Sequence, residues 1–131
     1  MRTYYFNIPN EEEIVIVEAV IAQKYDFLLG LDTAATHTTI DSNVLYLSGY
    51  ELKNSIGEVE IETSNGIIVV PQYCLTVFEC LGIRKQNFVI QVYDFLAHGI
   101  TSDYHGLIGL DFLREVKFCL DIKKGEIIVH E

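Results

Sequence analysis

The sequence predicts an all-β domain, folded as a closed barrel or a sandwich. Short runs of β-branched and aromatic residues recur between polar breaks, several of them alternate with period two, and helical spacing is confined to short stretches. The chain has 131 residues, half of them apolar and 21% charged, a composition that suits one compact domain over 1–131 rather than a disordered chain. No Gly/Ser-rich or Pro-rich linker divides it.

Taken in order, strands are predicted at Ile14 to Ile21, Tyr25 to Leu31, Glu58 to Thr63, Ile67 to Val70, Phe88 to Val92, Val116 to Ile122 and Ile127 to Val129. In Glu58-Val59-Glu60-Ile61-Glu62 the glutamates face one way and the aliphatics the other. In Val116 to Ile122 the apolar residues again take alternate positions. Ser64-Asn65-Gly66 lies between two runs, and Asn-Gly favours a hairpin because both residues tolerate positive φ. Lys123-Lys124-Gly125 is the corresponding turn near the C-terminus. Asp111 to Glu115 predicts a helix of at most two turns, with Asp111 as its N-cap and Phe112, Leu113 and Val116 at helical spacing. Tyr73 to Leu81 is read as a further short turn of helix, and Asp94 to His105 as a surface loop.

Charge narrows the partners. Asp plus Glu number 19 against 9 Lys plus Arg, for a net charge of −10, and that field repels nucleic acid and anionic lipid. No apolar run approaches the roughly 18 residues of a membrane span. The start passes from Met1 to Phe6 straight into Pro9-Asn10 and three glutamates, without a signal peptide's apolar core. Cys74, Cys80 and Cys119 are odd in number and irregularly spaced, which predicts reduced thiols of a cytoplasmic protein. They lack the paired spacing of a zinc site and are read as small core residues. A Cys80 nucleophile with His98 or His105 has no local support.

The most informative block is Phe27-Leu28-Leu29-Gly30-Leu31-Asp32-Thr33-Ala34-Ala35-Thr36, an apolar strand that ends abruptly in an acid, a hydroxyl and two tiny residues. An Asx turn at a strand end explains the Asp and Thr. It does not call for the alanines, nor for a second apolar strand that ends in Leu107-Ile108-Gly109.

Together these blocks resemble the retropepsin-like aspartic proteases. That family carries Asp-Thr/Ser-Gly-Ala at the end of an apolar strand, and an apolar–apolar–Gly motif before a short C-terminal helix. Asp32-Thr33-Ala34-Ala35 is similar to the first, and Leu107-Ile108-Gly109 with Asp111-Phe112-Leu113 to the second. The resemblance spans Ile14 to Val129. It implies a barrel lobe with one short C-terminal helix and a flap hairpin, whose tip would be Thr63, Ser64, Asn65 and Gly66. It also implies an endopeptidase acting on peptides or unstructured proteins, with water as nucleophile and neither metal nor organic cofactor. Asp32 would be the catalytic acid. Thr33 would tie two such loops together, and Ala34, Ala35 and Gly109 would let them approach.

Only one Asp-Thr block is present, whereas a pepsin-like enzyme carries two in a much longer chain. A C2 homodimer would supply the second Asp32 across its axis. Asp111 also follows a Leu-Ile-Gly-Leu run, but the family's internal symmetry sets Gly109 opposite Ala34 and leaves Asp111 to the helix. His37 is read as an edge residue. Ala34 stands where the family usually has Gly, and a methyl there is tolerated only at negative φ. That departure sustains a second reading, a catalytically inactive dimer of the same fold that binds peptides. A third is an unrelated small β-barrel that binds a ligand or partner.

Overall fold

Strands β1 (Arg2–Tyr5), β2 (Ile16–Ile21), β3 (Tyr25–Leu31) and β4 (Thr39–Asp41) lead into helix α1 (Ser42–Leu47). After it come β5 (Gly57–Thr63), β6 (Gly66–Cys80), β7 (Ile83–Tyr93) and β8 (Gly106–Ile108), then helix α2 (Leu110–Leu113), β9 (Lys117–Asp121) and β10 (Glu126–His130). These assignments come from a computed structural model that describes residues 1–6, 14–22, 25–51, 54–63, 66–100 and 104–130.

The larger sheet runs β2-β3-β8-β4-β7-β6-β5, and β2 also pairs with β6. Six strands therefore close on themselves as a barrel, while β5 lies outside the ring on β6. Closure is possible because β6 is 15 residues long. Its first half pairs with β5, its second half with β7, and its last residues with Ala19 to Ile21 of β2. The β6–β7 turn is Leu81-Gly82, at φ 52° and 76°, a two-residue hairpin turn that matches the strand twist. The smaller sheet, β1-β10-β9, joins the two ends of the chain.

Alternation delivers the core. Val17, Ala19 and Ile21 of β2 point inward beside Phe27 and Leu29 of β3, while Glu18 points out. Phe78, Phe88 and Phe112 stack edge and tilt at centroid distances of 5.0 to 6.0 Å, so α2 is pinned to β6 and β7 by one ring. Lys85 lies 5.4 Å over the Phe88 and Phe112 rings and pairs with Glu115, closing the outside of that cluster.

Several expectations need correction. Tyr73 to Leu81 is not helical: Tyr73 to Cys80 belongs to β6, with its inward residues buried against the core. The strands read as Ile67 to Val70 and Phe88 to Val92 are parts of longer ones, the start of β6 and the end of β7. β1, β4 and α1 were not foreseen. α1 is capped by Asp41, whose carboxylate also accepts from Phe95 N–H at 3.2 Å. The Asp94 to His105 stretch contains a 3-10 turn at Leu96–His98. The Asp94 carboxyl there is held below its ordinary pKa by the Ala97 N–H and the Asn43 amide. Of the cysteines, only Cys80 is a core thiol; Cys74 is half-buried and Cys119 exposed. Among the described residues no helix is long and apolar enough to cross a membrane.

Candidate active site

β3 and β8 run parallel, with Gly30 beside Leu107 and Leu31 beside Ile108. The Asp32 N–H extends that ladder by donating to the Ile108 carbonyl at 3.1 Å, so Asp32 is the first residue past the strand. The chain then turns sharply. Asp32 Oδ1 accepts from Ala34 N–H at 2.9 Å and the Asp32 carbonyl from Ala35 N–H at 3.2 Å, an Asx-type turn that leaves Asp32 half-buried. Thr33 and Ala34 are exposed and Ala35 half-buried. Among the described residues the non-glycine positions at positive φ are Ala22, Leu81 and Asn87; Ala34 is not one of them, so its methyl does not strain the turn.

The returning loop lies against the end of β8 at backbone contact. Leu110 N–H donates to the Ala35 carbonyl at 2.8 Å and Asp111 N–H to the Thr36 carbonyl at 3.1 Å. A Cβ on the buried Gly109 would sit 2.8 Å from the Ala35 oxygen and 2.8 Å from the His37 carbonyl carbon. Its backbone, at φ −106° and ψ −172°, is extended, so this glycine serves space and not φ. Beside the loop, His37 shares a 2.9 Å hydrogen bond with the Thr36 hydroxyl on the exposed side.

Asp111 is not the N-cap expected of it. Gly109 occupies that position and Asp111 is the second residue of α2. Its carboxylate accepts from Thr38 N–H, at 3.0 Å on Oδ1 and 2.9 Å on Oδ2, from the Thr38 hydroxyl at 2.8 Å, and from Phe112 N–H at 2.9 Å. Thr38 is fully buried, and its Oγ1 in turn accepts from Gly109 N–H at 3.1 Å. Sequence reasoning passed over Thr38, which stands just before the short, mostly polar strand β4 and carries no local signal of this role.

His105 was weighed from the sequence only as a partner for Cys80, and its bonding to the β3 backbone was missed. His105 N–H donates to the Leu28 carbonyl at 2.7 Å, and its ring Nδ1 accepts from Leu28 N–H at 3.0 Å. The imidazole thus stands where a ladder carbonyl would, just upstream of the β3–β8 pairing. With its Nδ1 so engaged, and with Cys80 Sγ directed at the Glu18 carbonyl at 3.4 Å, the two do not form a nucleophilic pair. Burial pushes the Cys80 thiol up to about 12, further from a reactive thiolate. Among the described residues no group of three His, Cys, Asp or Glu is placed to hold a metal.

The β5–β6 hairpin lies between the two motif blocks in the chain. Val59, Ile61, Ile68 and Val70 share its apolar face, and Glu58, Glu60 and Glu62 share the other with Ile67 and Val69. Thr63 ends β5 opposite the exposed Gly66, which is at φ 116°. Ser64 and Asn65 lie outside the described residues.

No protein-family model matches the sequence, and no curated protein matches it. Among solved structures, the chain is similar to a retropepsin-like aspartic protease from Rickettsia conorii, with a TM-score of 0.72 over 98% of this chain and 89% of that one. Sequence identity is 18%, so the likeness is one of fold. The fold is retropepsin-like and all-β, as the two sequence motifs implied.

Proposed function

We propose that this chain is an aspartic endopeptidase, acting as a single 1–131 domain that pairs with a second copy to complete its active site. The observation that carries the reading is Asp32. It is half-buried at the first position past β3, on a loop packed at backbone contact against the end of a parallel neighbour. One loop offers one carboxylate, and an isologous dimer brings two. Two carboxylates held close share a proton, because both cannot ionise together at short range. The ionised partner draws a proton from water as the oxygen attacks the scissile carbonyl, and the protonated partner polarises that carbonyl. Thr33, exposed beside Asp32, ties the two loops across the axis. Gly109 and the alanines permit the approach. The β5–β6 hairpin closes over the peptide as a flap and excludes water.

Ala34 bears on the inactive alternative, and its unstrained φ supports the active one. The test is cleavage of an unstructured protein such as reduced, alkylated casein. Wild type should cleave it, with specific activity falling on dilution below the dimer's dissociation constant. Asp32→Asn should abolish cleavage and, mixed in excess with wild type, suppress it. Cleavage that survives Asp32→Asn, or full activity from a demonstrably monomeric preparation, refutes the reading. A bell-shaped pH profile on the acid side of neutrality is expected, because a dyad works only between its two macroscopic pKa values.

A further inference from the structure

The geometry points to Asp111 as a positioning residue that, through Thr38, fixes the Asp32 loop relative to the end of β8; the inference rests on the reading of Asp32 as a catalytic acid. The loop from 32 to 38 is fastened at both ends to one short stretch of chain. At its start, Asp32 N–H bonds the Ile108 carbonyl at 3.1 Å. At its end, Thr38 bonds both Gly109 and Asp111.

The carboxylate is specifically required at this second fastening. Among the described residues it is bonded by three donors: the Thr38 N–H, the Thr38 hydroxyl and the Phe112 N–H. An amide in its place would turn an NH2 toward one of them and lose an acceptor. The charge also sets the direction of the Thr38 hydroxyl. That hydroxyl commits its one proton to Asp111 Oδ1 at 2.8 Å, which leaves its lone pairs for Gly109 N–H at 3.1 Å. Thr38 is fully buried, so water does not replace either bond. Loosening this relay releases the loop at the end opposite Asp32. Catalytic geometry is sensitive at that scale, since a misplacement of about 1 Å costs on the order of 100-fold in rate.

The experiment compares wild type with Asp111→Asn, Thr38→Val and Thr38→Ser. Casein cleavage is resolved into kcat and KM per competent dimer, and amide hydrogen exchange is followed by NMR. Asp111→Asn and Thr38→Val should lower kcat at least tenfold with KM within twofold, and Thr38→Ser, which keeps the hydroxyl, should stay within threefold of wild type. Exchange at Thr38 and Gly109 should quicken at least tenfold in Asp111→Asn while the Leu29 amide in β3 is unchanged. The carboxyl carbon resonance of Asp32 should move as well.

Unchanged exchange at Thr38 and Gly109 overturns the proposal, and so does quickened exchange with unaltered kcat. If Asp111→Asn does not fold, the Thr38→Val and Thr38→Ser pair decides by the same criteria. Failure of wild type to cleave counts against the protease reading alone. In that case a moved Asp32 resonance in Asp111→Asn supports the positioning role, and a fixed one overturns it.

Discussion

Gly109→Ala tests the packing of the site without touching a titratable group. Its backbone is extended, so alanine meets no conformational penalty and the whole effect is steric. The added methyl would lie 2.8 Å from the Ala35 oxygen, against 3.4 Å for ordinary contact, so the loop must retreat by about 0.6 Å. That retreat stretches the Leu110-to-Ala35 and Asp111-to-Thr36 hydrogen bonds, now 2.8 and 3.1 Å. Overpacking of this kind costs about 1–3 kcal/mol, and weakening two backbone bonds adds roughly 1 kcal/mol. A total of about 3 kcal/mol lowers the melting temperature by about 10 °C in a domain of this size. Gly57→Ala is the control, because a Cβ there meets only the Gln72 side chain, at 3.9 Å. Differential scanning calorimetry and urea unfolding of the two variants give the comparison. A Gly109→Ala protein that melts within about 2 °C of wild type would refute the claim that backbone contact holds this loop.

Thiol chemistry should separate the cysteines: a maleimide at pH 8 should label Cys119 quickly and leave Cys80 unlabelled until the protein unfolds, as mass spectrometry of peptides will read. Because the Cys80 pKa is raised in the folded state, its contribution to stability is complete below the unfolded value near 9 and declines as pH rises toward about 12. Urea midpoints across that alkaline range should therefore fall. His105→Leu should cost about 1–3 kcal/mol by leaving the Leu28 N–H without its acceptor, and His105→Gln, which restores a side-chain oxygen, should recover part of the loss in the same unfolding assay.

How far the sequence was legible follows from how local each signal is. Tyr25 to Leu31 was read to its ends because its apolar run stops at Asp32. The β5–β6 hairpin was foreseen because Asn65-Gly66 is a local turn signal, but β6 runs on past the expected Val70 to Cys80. β1 escaped because its partner, β10, lies at the far end of the chain and its own residues are mostly exposed. Tyr73 to Leu81 misled because Tyr73, Val77 and Leu81 recur at a helical spacing of four, while the pairing with β7 that makes them a strand is tertiary. At the site, Asp32 announced itself by its neighbours. Asp111 looked like a cap because a cap is what an Asp before an apolar helix does locally; its partner Thr38 is 73 residues away.

The outer arm of the sheet has a colloidal consequence. Among the described residues β5 pairs only with β6, so its far edge presents unpaired backbone groups beside the exposed Ile67 and Val69. Such an edge is a template on which another chain can add a strand. Glu58, Glu60 and Glu62 place a charge at every second position along it, and two arms that approach edge to edge bring those rows together and repel. The guard is electrostatic, so it has a finite range: about 10 Å at 0.1 M salt and about 3 Å at 1 M. Concentrated salt, often a remedy for sluggish crystallisation, would here remove what keeps these arms from zippering into higher assemblies.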